Sequence, residues 1–206
     1  MAENIMDQAH DRVTALRNLK FWEQLRTPPN DPTVLKKITG GRLSGKTDIN
    51  PQWRLEKMTE VFGPVGVGWT YRIVRTWTEQ GRLGPGIPAQ EIPAEHEVVA
   101  CAEIALKYRY KPTTGQGDAH GMCWSEEIPG IGGHQLVVRE STGFHTNDEC
   151  YKMAVTDALS VAMKQLGMAA DVYRGLFNDS KYSANTAPDN AGYRAKSDGG
   201  GKRFRN

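Results

Sequence analysis

The chain has 206 residues, 38% of them hydrophobic and 24% charged, which suits one domain plus tails that buries a core without covalent staples. Lys and Arg total 26 against 24 Asp and Glu, a formal net charge of +2, so any affinity for a polyanion has to come from local distribution rather than overall charge. There is no secretory apolar core and no run near the ~18 apolar residues that span a bilayer, so a soluble, cytoplasmic chain with no membrane partner is expected; the widely spaced Cys101, Cys123 and Cys150 read as reduced thiols.

Between residues 4 and 26, Ile5, Val13, Leu16, Leu19, Phe21, Trp22 and Leu25 recur at loosely helical spacing, and Pro28-Pro29 stops the helix. Residues 1–34 therefore read as a helical arm appended to the core, suited to packing or subunit contact. From Lys36 to Lys57, six basic residues (Lys36, Lys37, Arg42, Lys46, Arg54, Lys57) stand against two acidic ones (Asp48, Glu56), a charge able to receive phosphates.

Within that stretch Gly40 to Thr47 fits G-x-x-x-x-G-K-[ST]. The pattern cradles phosphates when a buried strand enters the loop and a helix leaves from the Lys-Thr pair. Here Thr33 to Thr39 carries Lys36-Lys37 where a central strand is apolar, and it reads as a short amphipathic turn of helix. Pro51 falls in what should be the second turn of the departing helix. The best apolar run, Gln135 to Val138, exits into Arg139-Glu140 rather than a magnesium-binding Asp. A P-loop nucleotide hydrolase using Gly40 to Thr47 is thus an alternative function, and Lys46 is expected to contact a phosphate without hydrolysing a nucleotide.

A helix from Pro51 to Phe62 is well signalled, with Asn50 as cap, Pro51 at the first position, and Trp53, Leu55, Met58, Val61 and Phe62 on its apolar side. Gly63-Pro64 ends it. Trp69 to Thr78 alternates as a strand, with Trp69, Tyr71, Ile73 and Trp77 on one side and Thr70, Arg72, Thr76 and Thr78 mostly on the other. Gln80 to Glu95 is rich in Gly and Pro and predicts a long exposed connection. A second long strand is expected from about Glu97 to Tyr110, and a third from Gly121 to Ser125, joined as antiparallel hairpins.

A second helix is predicted from Asn147 or Asp148 to Gly167, with Thr146 and Glu149 at capping-box spacing. Val155, Leu159, Ala162 and Leu166 should face the sheet, widened by Ala154, Ala158 and Val161. Opposite them Lys152, Thr156, Ser160 and Lys164 recur every four residues, a polar stripe of about 18 Å with a cation at each end. Beyond Tyr182 apolar residues almost vanish, predicting a disordered polar and basic tail over 183–206. The elements together predict an α+β fold.

Two blocks carry a family resemblance: Thr47-Asp48-Ile49-Asn50-Pro51-Gln52-Trp53-Arg54 running to Val61-Phe62-Gly63 and Trp69, and Glu149-Cys150-Tyr151-Lys152-Met153-Ala154-Val155-Thr156-Asp157-Ala158-Leu159 running to Leu166-Gly167. Over residues 35–182 the chain resembles the phage single-strand annealing proteins of the Sak type, relatives of the eukaryotic Rad fifty-two recombination mediator. The resemblance implies an antiparallel β-β-β-α core with a preceding helix, assembly of identical subunits into a ring, and a groove that holds single-stranded DNA by its backbone. By position it implies that Arg54, Lys152 and Lys164 contact DNA. Ser160 and Val161 stand where the eukaryotic pattern has paired basic residues, and Pro64 where it has an aromatic.

Annealing makes and breaks no covalent bond; it needs phosphates neutralised and base edges left free. The chain is therefore expected to bind single-stranded DNA and anneal complementary strands without ATP in recombination or repair, with no catalytic residue, metal or cofactor. A binding module without annealing activity is the second alternative. Further DNA-contact candidates are Lys46, Arg72, Arg75, Lys107 and Arg109 on loop and strands, and Thr156 and Ser160 on the helix stripe; the basic tail adds a candidate dock for a recombination exonuclease or a host single-strand-binding protein. Trp53, Trp69 and Trp77 are better placed as core than as base-stacking platforms. His120, Cys123, His134 and His145 lack a second close-spaced pair for zinc, and Glu126-Glu127 and Asp148-Glu149 fit a loop and a cap better than a nuclease centre.

Overall fold

The computed structural model describes residues 2–39, 44–84, 94–112, 117–140 and 142–174, with side chains from residue 11 onward. Residues 40–43 of the glycine loop, most of the predicted connection and the tail expected over 183–206 lie outside the described residues.

Helix α1 (Ala2–Arg26) ends just before Pro28-Pro29, as the sequence requires. Its C-terminal end packs on the core: Leu25 is fully buried there, and Phe21 packs between Phe62 and Tyr108. The segment read as a turn of helix is instead strand β1 (Leu35–Lys37), paired antiparallel with β2 (Thr47–Ile49) so that Leu35 faces Ile49 and Lys37 faces Thr47. A two-stranded ribbon needs only one apolar side. Leu35 and Ile49 supply it, and Lys36 and Lys37 stay in solvent.

Helix α2 (Pro51–Phe62) follows with the predicted bounds. The Asn50 side chain accepts from the Gln52 amide at 2.9 Å, and Pro51 occupies a position whose N–H would have no partner. Gly63, at φ 101°, lets the chain turn out of the helix.

The main sheet is antiparallel, with strands β3 (Trp69–Gly84), β4 (Glu95–Tyr110), β6 (Ile128–Glu140) and β7 (Gly143–Thr146) in the order β3-β4-β6-β7. The predicted third strand at Gly121 to Ser125 shrinks to β5 (Cys123–Trp124), which pairs only with the end of β4. The third long strand is β6, whose glycine-rich start conceals it from a propensity reading. β3 also runs six residues past Thr78, into the stretch predicted as connection. A bulge between Ile73 and Arg75 resets its alternation. Thr76 therefore joins Ile73 on the helix side, and Trp77 moves to the opposite face, where Arg75 lies 4.6 Å from its ring centroid.

Helix α3 (Cys150–Gln165) begins later than predicted, because Thr146 still belongs to β7 and no capping box forms. Asn147 serves the turn instead, accepting from the Glu149 amide at 3.0 Å. Its sheet-facing side is the small one. Ala154, Ala158 and Ala162 lie fully buried, and a side chain on Gly130 or Gly132 of β6 would overlap the backbone of α3 at Ala154 and Ala158. Val155, predicted to face the sheet, is half-buried and lines a groove between β3 and the helices. A short helix α4 (Ala170–Tyr173) lies near the end of the described chain, tied to the C-terminal end of α1 by Arg26 and to the residue after it, where Thr27 Oγ1 donates to the buried Asp171 carboxylate at 2.5 Å. Among the described residues no helix is long and apolar enough to cross a membrane.

Candidate nucleic-acid interface

α2, α3 and α4 converge on one cleft of about 480 Å³. At its floor is Arg54, only 5% exposed, brought inward because the first turn of α2 also buries Trp53. Its Nη1 donates to Ser160 Oγ at 3.0 Å and its Nη2 to Tyr173 Oη at 3.2 Å. Both partners are neutral hydroxyls. Among the described residues Arg54 has no carboxylate partner, and its buried Nε has no hydrogen-bond acceptor. A guanidinium in that setting costs on the order of several kcal/mol in lost hydration unless an anion meets it.

The helix stripe rises from this floor. Ser160 Oγ passes its hydrogen to the Thr156 carbonyl at 3.0 Å, and Thr156 Oγ1 donates to the Lys152 carbonyl at 2.9 Å. Ser160 is thus buried as the support of Arg54, whereas the sequence stripe placed it in solvent. Lys152 and Lys164 flank the cleft on exposed turns of α3, and the Lys164 ammonium sits 4.8 Å from the Tyr173 ring centroid. Lys152 is held by Glu149 at 2.6 Å; that contact raises the Lys152 pKa and lowers that of Glu149.

Asp48, Glu149 and Asp157 also line the cleft, and each has another commitment. Asp48 accepts from the Ile49 amide, Glu149 pairs with Lys152, and Asp157 accepts from the Gly133 amide at 3.2 Å. Arg54, Lys152, Lys164, Thr156 and Ser160 are therefore gathered at one place, as the stripe and the loop charge suggested.

The remaining candidates lie elsewhere. Arg72 makes two bonds to Glu127, at 2.9 and 2.7 Å, and Arg75 meets Glu103 at 2.7 Å. Those bonds raise the Arg72 pKa and depress that of Glu127, to which the Lys107 charge also contributes. Arg109 pairs with Asp118 and lies 5.9 Å from the Trp124 ring centroid. The β4 members of this group, Glu103, Lys107 and Arg109, alternate with the buried Ile104 and Leu106 and so sit on the sheet face turned away from α3. This face is largely charge-matched within itself. Trp53 and Trp69 are core residues.

Lys46 sits half-buried in the hairpin, its carbonyl accepting from the Ile38 amide at 2.9 Å. Thr47 then opens a strand, and the helix begins only at Pro51 with its N-terminus already capped by Asn50. The Lys-Thr pair of the phosphate-loop pattern is not at a helix N-terminus, so no helix presents its first backbone donors at that pair.

Tyr173 and His134 line the cleft and were missed as site residues. Tyr173 follows the glycine that ends α3, where no periodicity marks it; His134 drew notice only as a metal ligand. Among the described residues no group of three or more His, Cys, Asp or Glu is placed to hold a metal ion. In comparison with known proteins, the chain matches no protein-family model and no curated protein.

Proposed function

We propose that this chain binds single-stranded DNA by its sugar-phosphate backbone and anneals complementary strands without ATP, acting as a homo-oligomer in recombination or repair. The observation that carries the reading is Arg54: a buried cation with two neutral hydroxyl partners and, among the described residues, no carboxylate, at the floor of a cleft between two exposed lysines. A phosphodiester supplies the missing anion. Lys152 and Lys164, three helical turns apart, then meet neighbouring parts of the same strand.

The cleft suits a backbone better than a base. Its three cations grip phosphates and carry no sequence information, while Asp48, Glu149 and Asp157 are each engaged by a donor of the protein. Bases left outside remain free to sample a second strand. Three long antiparallel strands followed by a helix, with another helix ahead of them, support the β-β-β-α arrangement that the annealing-protein resemblance implies. The ring is part of the same reading.

Fluorescence anisotropy of a labelled single-stranded oligonucleotide tests the binding step. Wild type should bind, and the Arg54→Ala, Lys152→Ala, Lys164→Ala triple variant should bind far more weakly; equal binding by a folded triple variant places the strand elsewhere.

A further inference from the structure

α4 is four residues long, and a single helical turn makes too few internal bonds to hold itself. It is held from outside, by the end of α1. Ala169, which precedes α4, sits at φ 57°, a left-handed conformation that its Cβ disfavours, and its amide donates to the Leu25 carbonyl at 2.9 Å. Gly167, at φ 93°, lies so close to the Trp22 ring that a Cβ there would overlap it. Asp171 is 4% exposed; its carboxylate accepts from Thr27 Oγ1 at 2.5 Å and lies 3.6 Å from Arg26 Nε. The stretch from Trp22 to Thr27 therefore grips the turn into α4 through backbone, packing and charge together.

Tyr173 stands two positions after Asp171 and so on the opposite side of that turn, facing the phosphate cleft. Its hydroxyl accepts from Arg54 Nη2 at 3.2 Å, and the Lys164 ammonium lies 4.8 Å from its ring centroid. One side chain thus braces both the cation at the floor of the cleft and a cation on its flank. Arginine and lysine have long, rotatable stems, and holding them in place before a strand arrives lowers the ordering cost of binding. Ser160 of α3 fixes one end of the Arg54 guanidinium, and Tyr173 of α4 fixes the other.

We infer that Arg26, Thr27 and Asp171 are positioning residues of the phosphate cleft, pinning α4 so that Tyr173 holds Arg54 and Lys164 ready for a phosphodiester. This rests on the strand binding of the proposed function and adds a point of control outside the cleft, since none of the three lines it. The links run from Thr27 to Asp171, along α4 to Tyr173, and from Tyr173 to Arg54 and Lys164. Loosening the end of α1 weakens the grip on phosphate with no cleft residue altered.

Thr27→Val keeps the side-chain shape and removes the hydroxyl; Tyr173→Leu removes both the acceptor for Arg54 and the ring beside Lys164. By fluorescence anisotropy of a labelled single-stranded oligonucleotide, Thr27→Val should lower affinity about threefold to tenfold, as for one lost hydrogen bond. In the Tyr173→Leu background the same substitution should change affinity by less than about twofold, because the path it acts through is gone. Equal losses in the two backgrounds, which a general loosening of the fold would give, or wild-type affinity in Thr27→Val would overturn the inference. The Arg54 Nε–H signal in NMR of the nitrogen-labelled protein, assigned by its absence in Arg54→Met, is read without DNA and should shift in Thr27→Val as it does in Tyr173→Leu. A wild type that binds no strand counts against the proposed function, and this signal then decides the positioning alone: moved by Thr27→Val it stands, unmoved it falls.

Discussion

Arg54 and Ser160, 106 residues apart in sequence, are joined by a buried hydrogen bond of 3.0 Å that fixes the N-terminal end of α2 to the middle of α3. The bond orients the guanidinium, but a hydroxyl carries no charge, and among the described residues no carboxylate answers that of Arg54. A structural strut would ordinarily be matched by a carboxylate; this one is matched by an open cleft.

Arg54→Met separates the two roles. An apolar chain of similar length removes the desolvation cost of a buried cation that has no carboxylate partner among the described residues, and Ser160 keeps its bond to the Thr156 carbonyl. The free variant should therefore melt no lower than wild type, while its affinity for a single strand falls about tenfold to a hundredfold, the worth of about 1.5–3 kcal/mol for a charge-assisted bond. A lower melting temperature with unchanged strand affinity would make Arg54 a packing residue.

Salt dependence counts the phosphates. Each neutralised phosphate contributes about 0.7 to the slope of log affinity against log salt for single strands. Removing Arg54, Lys152 and Lys164 together should reduce the slope by about 2. An unchanged slope would mean that none of the three meets the backbone.

Glu149 competes with DNA for Lys152. Glu149→Gln should tighten strand binding at neutral pH by about two- to fivefold, since both groups are exposed and their pairing is screened. The sign with pH follows from the depressed Glu149 pKa. The pair persists above the ordinary carboxylate value of about 4.3 and is lost only as pH falls below it through the depressed value. Wild-type affinity should rise in that acid window relative to Glu149→Gln, and parallel pH profiles for the two proteins would contradict the competition.

Gly130 and Gly132 set the depth at which α3 lies on the sheet. Gly132→Val should cost more than about 3 kcal/mol in urea unfolding, because backbone rather than a movable side chain meets the new atoms. Gly133→Ala, whose added carbon meets Val99 Cγ1 at 3.4 Å on the other face, should be nearly neutral. Similar costs for the two would show that α3 can shift to make room.

Local signals predicted what they physically determine. Asn50, Pro51 and Gly63 fixed α2 to the residue, and Pro28-Pro29 ended α1, because caps and breakers act within one turn. The β1–β2 hairpin was misread since Leu35 and Ile49 bury only across the loop between them, a pairing that no window of adjacent residues contains. β6 was hidden because Gly130 and Gly132 lower strand propensity in order to admit α3, a tertiary requirement. In the site, i,i+4 spacing found Lys152, Thr156, Ser160 and Lys164 together. It could not tell that Ser160 faces inward to Arg54 or that Tyr173 returns to complete the cleft.

Strand annealing itself is the activity to measure. Two complementary oligonucleotides carrying a donor and an acceptor fluorophore are mixed without ATP, with and without the protein, across a range of protein-to-DNA ratios. Duplex formation should be faster with wild type and should lose that acceleration in the Arg54, Lys152 and Lys164 triple variant; no acceleration at any ratio would contradict annealing.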